Sequence, residues 1–117
     1  MSKKVLVVDD EADVRKFLTA VLEKHGYDTL TAADGNQALE IARQEKPDLV
    51  ILDLQMPHET GTGFYRKFSR SKDYAGTPVI VVSGLAGRDL AVRKPAAVFD
   101  KPIDPDAFIA AVEKALS

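Results

Sequence analysis

The run Leu49-Val50-Ile51-Leu52 sets four apolar residues side by side and then stops on an acid, Asp53. A strand with one wet face alternates apolar and polar residues, so a run without alternation belongs to a strand buried on both faces. Val5-Leu6-Val7-Val8 and Val79-Ile80-Val81-Val82 are runs of the same kind, and Ala97-Val98-Phe99 is a shorter one. Tyr27 to Thr31 mixes in polar residues, as an edge strand does. Strands buried on both faces need helices to cover them, and the intervening segments supply a helical period.

From Glu11 to His25 the apolar residues Val14, Phe17, Leu18, Val21 and Leu22 fall along one helix face, and Gly26 is placed to end it. Asp34-x-x-Gln37 is a capping-box pattern that opens a helix through about Glu45, with Ala38, Ile41 and Ala42 inward and Pro47 closing the region. A third helix carries Phe64 and Phe68 and runs to about Asp73. A fourth, Arg88 to Lys94, has room for about two turns before Pro95 stops it. Asp104 and Pro105 open the last helix, whose inner face carries Phe108, Ala111, Val112 and Ala115.

Strand and helix thus alternate five times. Alternation of buried strands with helices predicts an α/β fold with a five-stranded parallel sheet and helices on both faces, and right-handed crossovers leave few topologies. The expected order is 2-1-3-4-5, doubly wound and flavodoxin-like, with the polar second strand at an edge and a short or irregular fourth helix. A length of 117 residues predicts one domain over 1–117. Sixteen basic against 18 acidic residues give a net charge of −2, which provides no general attraction to nucleic acid or membrane. Cysteine is absent, which excludes disulfides and thiolate metal sites and suggests a reducing cytoplasm. No apolar run is long enough for a membrane span, so no membrane insertion is expected.

In an open α/β sheet, ligands bind beyond the carboxyl ends of the strands, where the winding reverses. Four of the five expected strands finish there on polar or charged residues: Asp9-Asp10, Asp53, Ser83 and Lys101. Taken singly each has a plain reading: a strand end or helix cap, a turn hydroxyl, a surface charge. Together they make a constellation. Three converging carboxylates repel one another unless a cation intervenes, and a hard divalent ion such as Mg²⁺ (or Mn²⁺) takes oxygen ligands while keeping several waters. Asp53 could then act as a nucleophile on phosphorus. The Lys101 ammonium would pair with negative charge on the transferred group, the Ser83 hydroxyl would donate a hydrogen bond to it, and Gly84 would leave room for a donor. His25 reads as a helix C-terminal cap and His58 as an exposed loop residue.

Val7-Val8-Asp9-Asp10-Glu11, Asp53-Leu54-Gln55-Met56-Pro57 with Gly61, Ser83-Gly84 and Lys101-Pro102 together resemble a response-regulator receiver domain of two-component signalling, chemotaxis-regulator-like, along nearly the whole chain. The resemblance implies a phosphoacceptor loaded by a histidine kinase or histidine phosphotransfer protein, passing its signal to a downstream effector by protein contact. It implies that Asp53 takes the phosphoryl group and that Asp10 and Asp53 bind Mg²⁺ directly. Asp9 would act through water, and the backbone carbonyl of Gln55 would complete the protein ligands. It also implies a monomer or weak phosphorylation-dependent dimer, and no enzyme beyond self-catalysed phosphoryl acceptance and slow autodephosphorylation. With no helix-turn-helix after the last helix, direct DNA binding is not expected.

Two features depart from the family pattern. Receivers often carry Tyr or Phe three residues before the lysine, as a switch coupled to the Ser/Thr hydroxyl; here that position is Val98 and the aromatic is Phe99, one step later. Adjacent strand residues face opposite sides, so the usual switch is expected to be missing. The interval from Ser83 to Lys101 is also about one helical turn short. These departures support an alternative, a constitutive receiver-like protein-binding module. A phosphatase using an aspartyl nucleophile is a further rival, but such enzymes usually place a second acid two residues on, where this chain has Gln55.

Overall fold

A computed structural model describes residues 3–53, 66–68, 70, 76–82, 96–99 and 103–117. Its centre is β3 (Leu49–Asp53), every residue of which is buried, flanked by β1 (Lys4–Val8) and β4 (Val79–Val82). β2 (Asp28–Ala32) pairs outside β1, giving the parallel order β2-β1-β3-β4, and the three-residue β5 (Ala97–Phe99) adds alongside β4. The expected order is therefore observed, with the polar strand at an edge.

The strand alternation sorts the core into two layers. Leu6, Val8, Val50, Leu52 and Val81 pack with Ala38 and Ala42 of α2 (Gly35–Glu45) and with Phe68. Val5, Val7, Leu49, Ile51, Ile80 and Val82 pack with Leu18 and Leu22 of α1 (Ala12–Lys24) and with Phe108, Ile109 and Val112 of the C-terminal helix (Pro105–Leu116). Helices thus cover both faces. Residues 66–68 and 70 are helical, as expected for the third helix, whereas the predicted fourth helix lies outside the described residues.

Local chemistry sets the helix ends. Gly26 takes φ 89°, its N–H donates to the Glu23 carbonyl and the Tyr27 N–H to the Leu22 carbonyl. This double closure is the Schellman motif, which commits the Tyr27 backbone to the helix stop and starts β2 one residue later than the sequence pattern implies. His25 Nδ1 lies 2.9 Å from the Val21 carbonyl, in keeping with its reading as a cap. At α2, Asp34 Oδ1 accepts the Gln37 N–H (2.8 Å) while Gln37 Oε1 accepts the Ala33 N–H (2.7 Å), a capping box reaching one residue further back than usual. At the opposite end of the sheet from Asp53, Asp48 Oδ2 accepts the Lys4 N–H at 2.8 Å and ties the starts of β1 and β3 together.

Phe17 corrects the sequence reading: it is 40% exposed rather than core. The buried stripe of α1 runs through Val14, Leu18, Val21 and Leu22, and Phe17 sits roughly 85° from its centre at 100° per residue, beyond what the sheet covers.

Burial, and then the nearby Glu113 carboxylate, raise the Tyr27 phenol above its ordinary 10.0. The folded state holds this proton more tightly than the unfolded chain. Its stabilisation is therefore complete below the ordinary value and is lost as pH climbs through the raised one. Tyr27→Phe is expected to lack this alkaline loss, measurable as urea midpoints compared across high pH.

Candidate functional site

The register of the sheet builds the site. Val8 pairs with Ala32 and with Leu52, so the residues that follow β1 and the last residue of β3 meet at one rim. Asp53 continues the alternation of Leu49 and Ile51, and Asp9 that of Val5 and Val7, which places both on the sheet face that α1 and the C-terminal helix cover. Asp9 is 1% exposed and Asp53 2%, whereas Asp10 is exposed. Carboxylate oxygens of Asp9, Asp10 and Asp53 lie within 4.8 Å of one another, the one such group of potential metal ligands among the described residues.

Asp9 is anchored by its backbone and its side chain. Its N–H donates to the Ala32 carbonyl (3.1 Å), its Oδ1 accepts the Glu11 N–H (2.9 Å), and its carbonyl accepts from Arg15 Nη1 (2.6 Å). Glu11 stands at the N-cap of α1 without a capping bond from its own side chain. The corner between β1 and α1 is therefore shaped by Asp9, and Asp10 is carried on it.

Two buried carboxylates this close to a third are costly, because each has left water and none neutralises another. The donor set fits a hard divalent cation: all oxygen, anionic, with the exposed Asp10 giving an approach from solvent.

On β5, Phe99 is half-buried and packs into the α1 face of the core, its ring edge-to-face with Phe108 at 6.0 Å and 69°. Val98 pairs in register with Val81. The only aromatic of β5 is thus part of the packing beneath the C-terminal helix. Ser83, Gln55 and Lys101 lie outside the described residues, as do His58, Gly61 and Gly84.

Sequence reasoning missed Arg15. Its signal was available: a cation closing the first turn of a helix opposes the macrodipole, which favours acids there.

A profile of the response regulator receiver domain matches residues 5–113. Protein Rrf1 of Nitratidesulfovibrio vulgaris is 32% identical over 117 residues, covering 100% of this chain and 85% of Rrf1. Protein PilH of Pseudomonas aeruginosa is 40% identical over 80 residues, 68% of this chain and 66% of PilH. The probable transcriptional regulator ycf27 of Porphyridium aerugineum is 42% identical over 84 residues, which cover 72% of this chain but only 34% of that longer protein. Among solved structures, the chemotaxis protein CheY4 of Vibrio cholerae superposes with a TM-score of 0.90 at 29% identity, covering 99% of this chain and 100% of CheY4. With a matching profile over nearly its whole length and the acidic rim that the sheet register assembles, this chain belongs to the response-regulator receiver family.

Proposed function

We propose that the domain accepts a phosphoryl group on Asp53 from a histidine kinase or a histidine phosphotransfer protein, in a Mg²⁺-dependent reaction. It then passes the signal to an effector protein by contact. The observation that carries this reading is the convergence of Asp9, Asp10 and Asp53 at the carboxyl end of the parallel sheet. An Asp53 carboxylate oxygen attacks the donor phosphorus, the phosphorus–nitrogen bond of the phosphohistidine breaks, and the imidazole departs with the bonding electrons. Asp53 is left as an acyl phosphate. Asp9, Asp10 and Asp53 would hold Mg²⁺ (Mn²⁺ serving equally), with the Gln55 carbonyl as a further ligand. When bound, the ion neutralises charge on the transferred oxygens. Burial keeps Asp53 in a dry, preorganised position, and Asp10 supplies the approach. Lys101 and Ser83 are assigned to the phosphoryl oxygens, as ion pair and hydrogen-bond donor.

The reaction is a single loading followed by slow self-hydrolysis, so the domain is a switch and not a turnover enzyme. The proposal places it in the cytoplasm, as a monomer or weak phosphorylation-dependent dimer that touches neither DNA nor lipid. Among the described residues no helix is long and apolar enough to cross a membrane. One observation favours a second reading, a constitutive protein-binding module: Phe99 is tied into the core against Phe108, so β5 offers that ring no role at the rim.

The readings separate on incubation with acetyl phosphate, followed by intact mass. With Mg²⁺ the mass is expected to rise by one phosphoryl group, and with chelator to stay unchanged. Equal partner affinity with and without beryllofluoride would favour the constitutive module. Steady turnover of a generic phosphoester would favour a phosphatase.

A further inference from the structure

Arg15 is the fourth residue of α1, where a cation opposes the helix macrodipole. Its Nη1 donates to the main-chain carbonyl of Asp9 at 2.6 Å, a charge-assisted bond reaching back across six residues. Asp9 is thereby held from three directions: to β2 through its N–H, to the helix entry through Oδ1, and to the flank of α1 through its carbonyl. Asp10, next along the chain, is exposed, and its carboxylate comes within 4.8 Å of those of Asp9 and Asp53.

We infer that Arg15 is a positioning residue of the cation site, latching the Asp9 carbonyl so that the Asp9-Asp10 corner presents its carboxylates toward Asp53. The inference rests on the Mg²⁺ reading above. A latch and a mere nearby charge predict opposite signs. If Arg15 acted only as a positive charge, its removal would relieve repulsion and tighten Mg²⁺ binding. If it holds the corner, its removal leaves the ion to order a looser loop, and binding weakens. Ordering backbone is the larger effect at a rim where water and salt screen the repulsion.

Arg15→Ala and Arg15→Lys distinguish these, with Mg²⁺ affinity by calorimetry, amide exchange of Glu11 in the metal-free protein, and urea unfolding. Arg15→Ala is expected to weaken Mg²⁺ binding about fivefold and to speed exchange of the Glu11 N–H, the bond that Asp9 Oδ1 accepts. Arg15→Lys, retaining one cationic donor, is expected to recover most of the affinity. A lowered urea midpoint with wild-type Mg²⁺ affinity would make Arg15 merely structural and overturn the inference, as would tighter Mg²⁺ binding in Arg15→Ala. If the wild type itself takes up no Mg²⁺, the metal reading fails. Glu11 exchange then decides the latch: acceleration in Arg15→Ala upholds it, and no change overturns it.

Discussion

In chelator, Asp53→Asn is expected to be about 1–2 kcal/mol more stable than the wild type and to lose the rise in melting temperature that Mg²⁺ gives it. The carboxylates of Asp9, Asp10 and Asp53 lie within 4.8 Å of one another, and two of the three are buried. Two unit charges at that separation repel by about 3.5 kcal/mol at an effective dielectric of 20. The Arg15 guanidinium at the Asp9 carbonyl and solvent at Asp10 reduce this, which leaves the smaller figure. A neutral amide at position 53 keeps the shape and removes the charge. The same substitution would remove one anionic ligand of the proposed Mg²⁺ site. On the proposed reading, Mg²⁺ at one hundred times its Kd would stabilise the wild type by about 2.7 kcal/mol, a rise on the order of 10 °C. Asp53→Asn is expected to show little of it. Thermal unfolding of both proteins in chelator and in Mg²⁺ measures all four values. A less stable Asp53→Asn with an undiminished Mg²⁺ response would contradict the account.

Phe108→Ala is expected to cost about 3–5 kcal/mol, a large share of the 5–15 kcal/mol that domains of this kind have. Phe108 is 0% exposed, lies in the layer formed with Leu18, Leu22 and Ile109, and meets Phe99 edge-to-face. Truncation removes a fully buried ring, and helix and sheet backbones on either side can close only part of the cavity. The aromatic pair adds about 0.5–1.5 kcal/mol beyond area. Phe108→Leu fills most of the volume and is expected to cost less than half as much. Urea unfolding measures both, with an unchanged slope showing that stability and not denatured-state compactness has changed. Phe99 ends β5, so Phe108→Ala also loosens the strand that leads toward Lys101.

The fold was legible because buried strands and amphipathic helices write different periods. Leu49–Leu52, Val79–Val82 and the polar β2 together give layers and edge. The acidic rim was legible for the same reason: a strand's end is visible where its apolar run stops, as at Val8-Asp9 and Leu52-Asp53. Phe17 was misread because a helix face from sequence is wider than the stripe a sheet covers. Arg15 carried a positional signal, a cation in the first turn of α1, but its partner is a backbone carbonyl, which has no letter in the sequence. The start of β2 was misplaced because the Tyr27 N–H had been taken by the Schellman closure of α1.

Mapping the phosphoryl group to its residue decides whether Asp53 carries it. The domain would be treated with acetyl phosphate and Mg²⁺, the acyl phosphate trapped by borohydride reduction, and the reduced residue located by tandem mass spectrometry, alongside Asp53→Ala. One modified residue, Asp53, is expected in the wild type and none in Asp53→Ala. Modification at another residue, or equal phosphoryl uptake by Asp53→Ala, would contradict it.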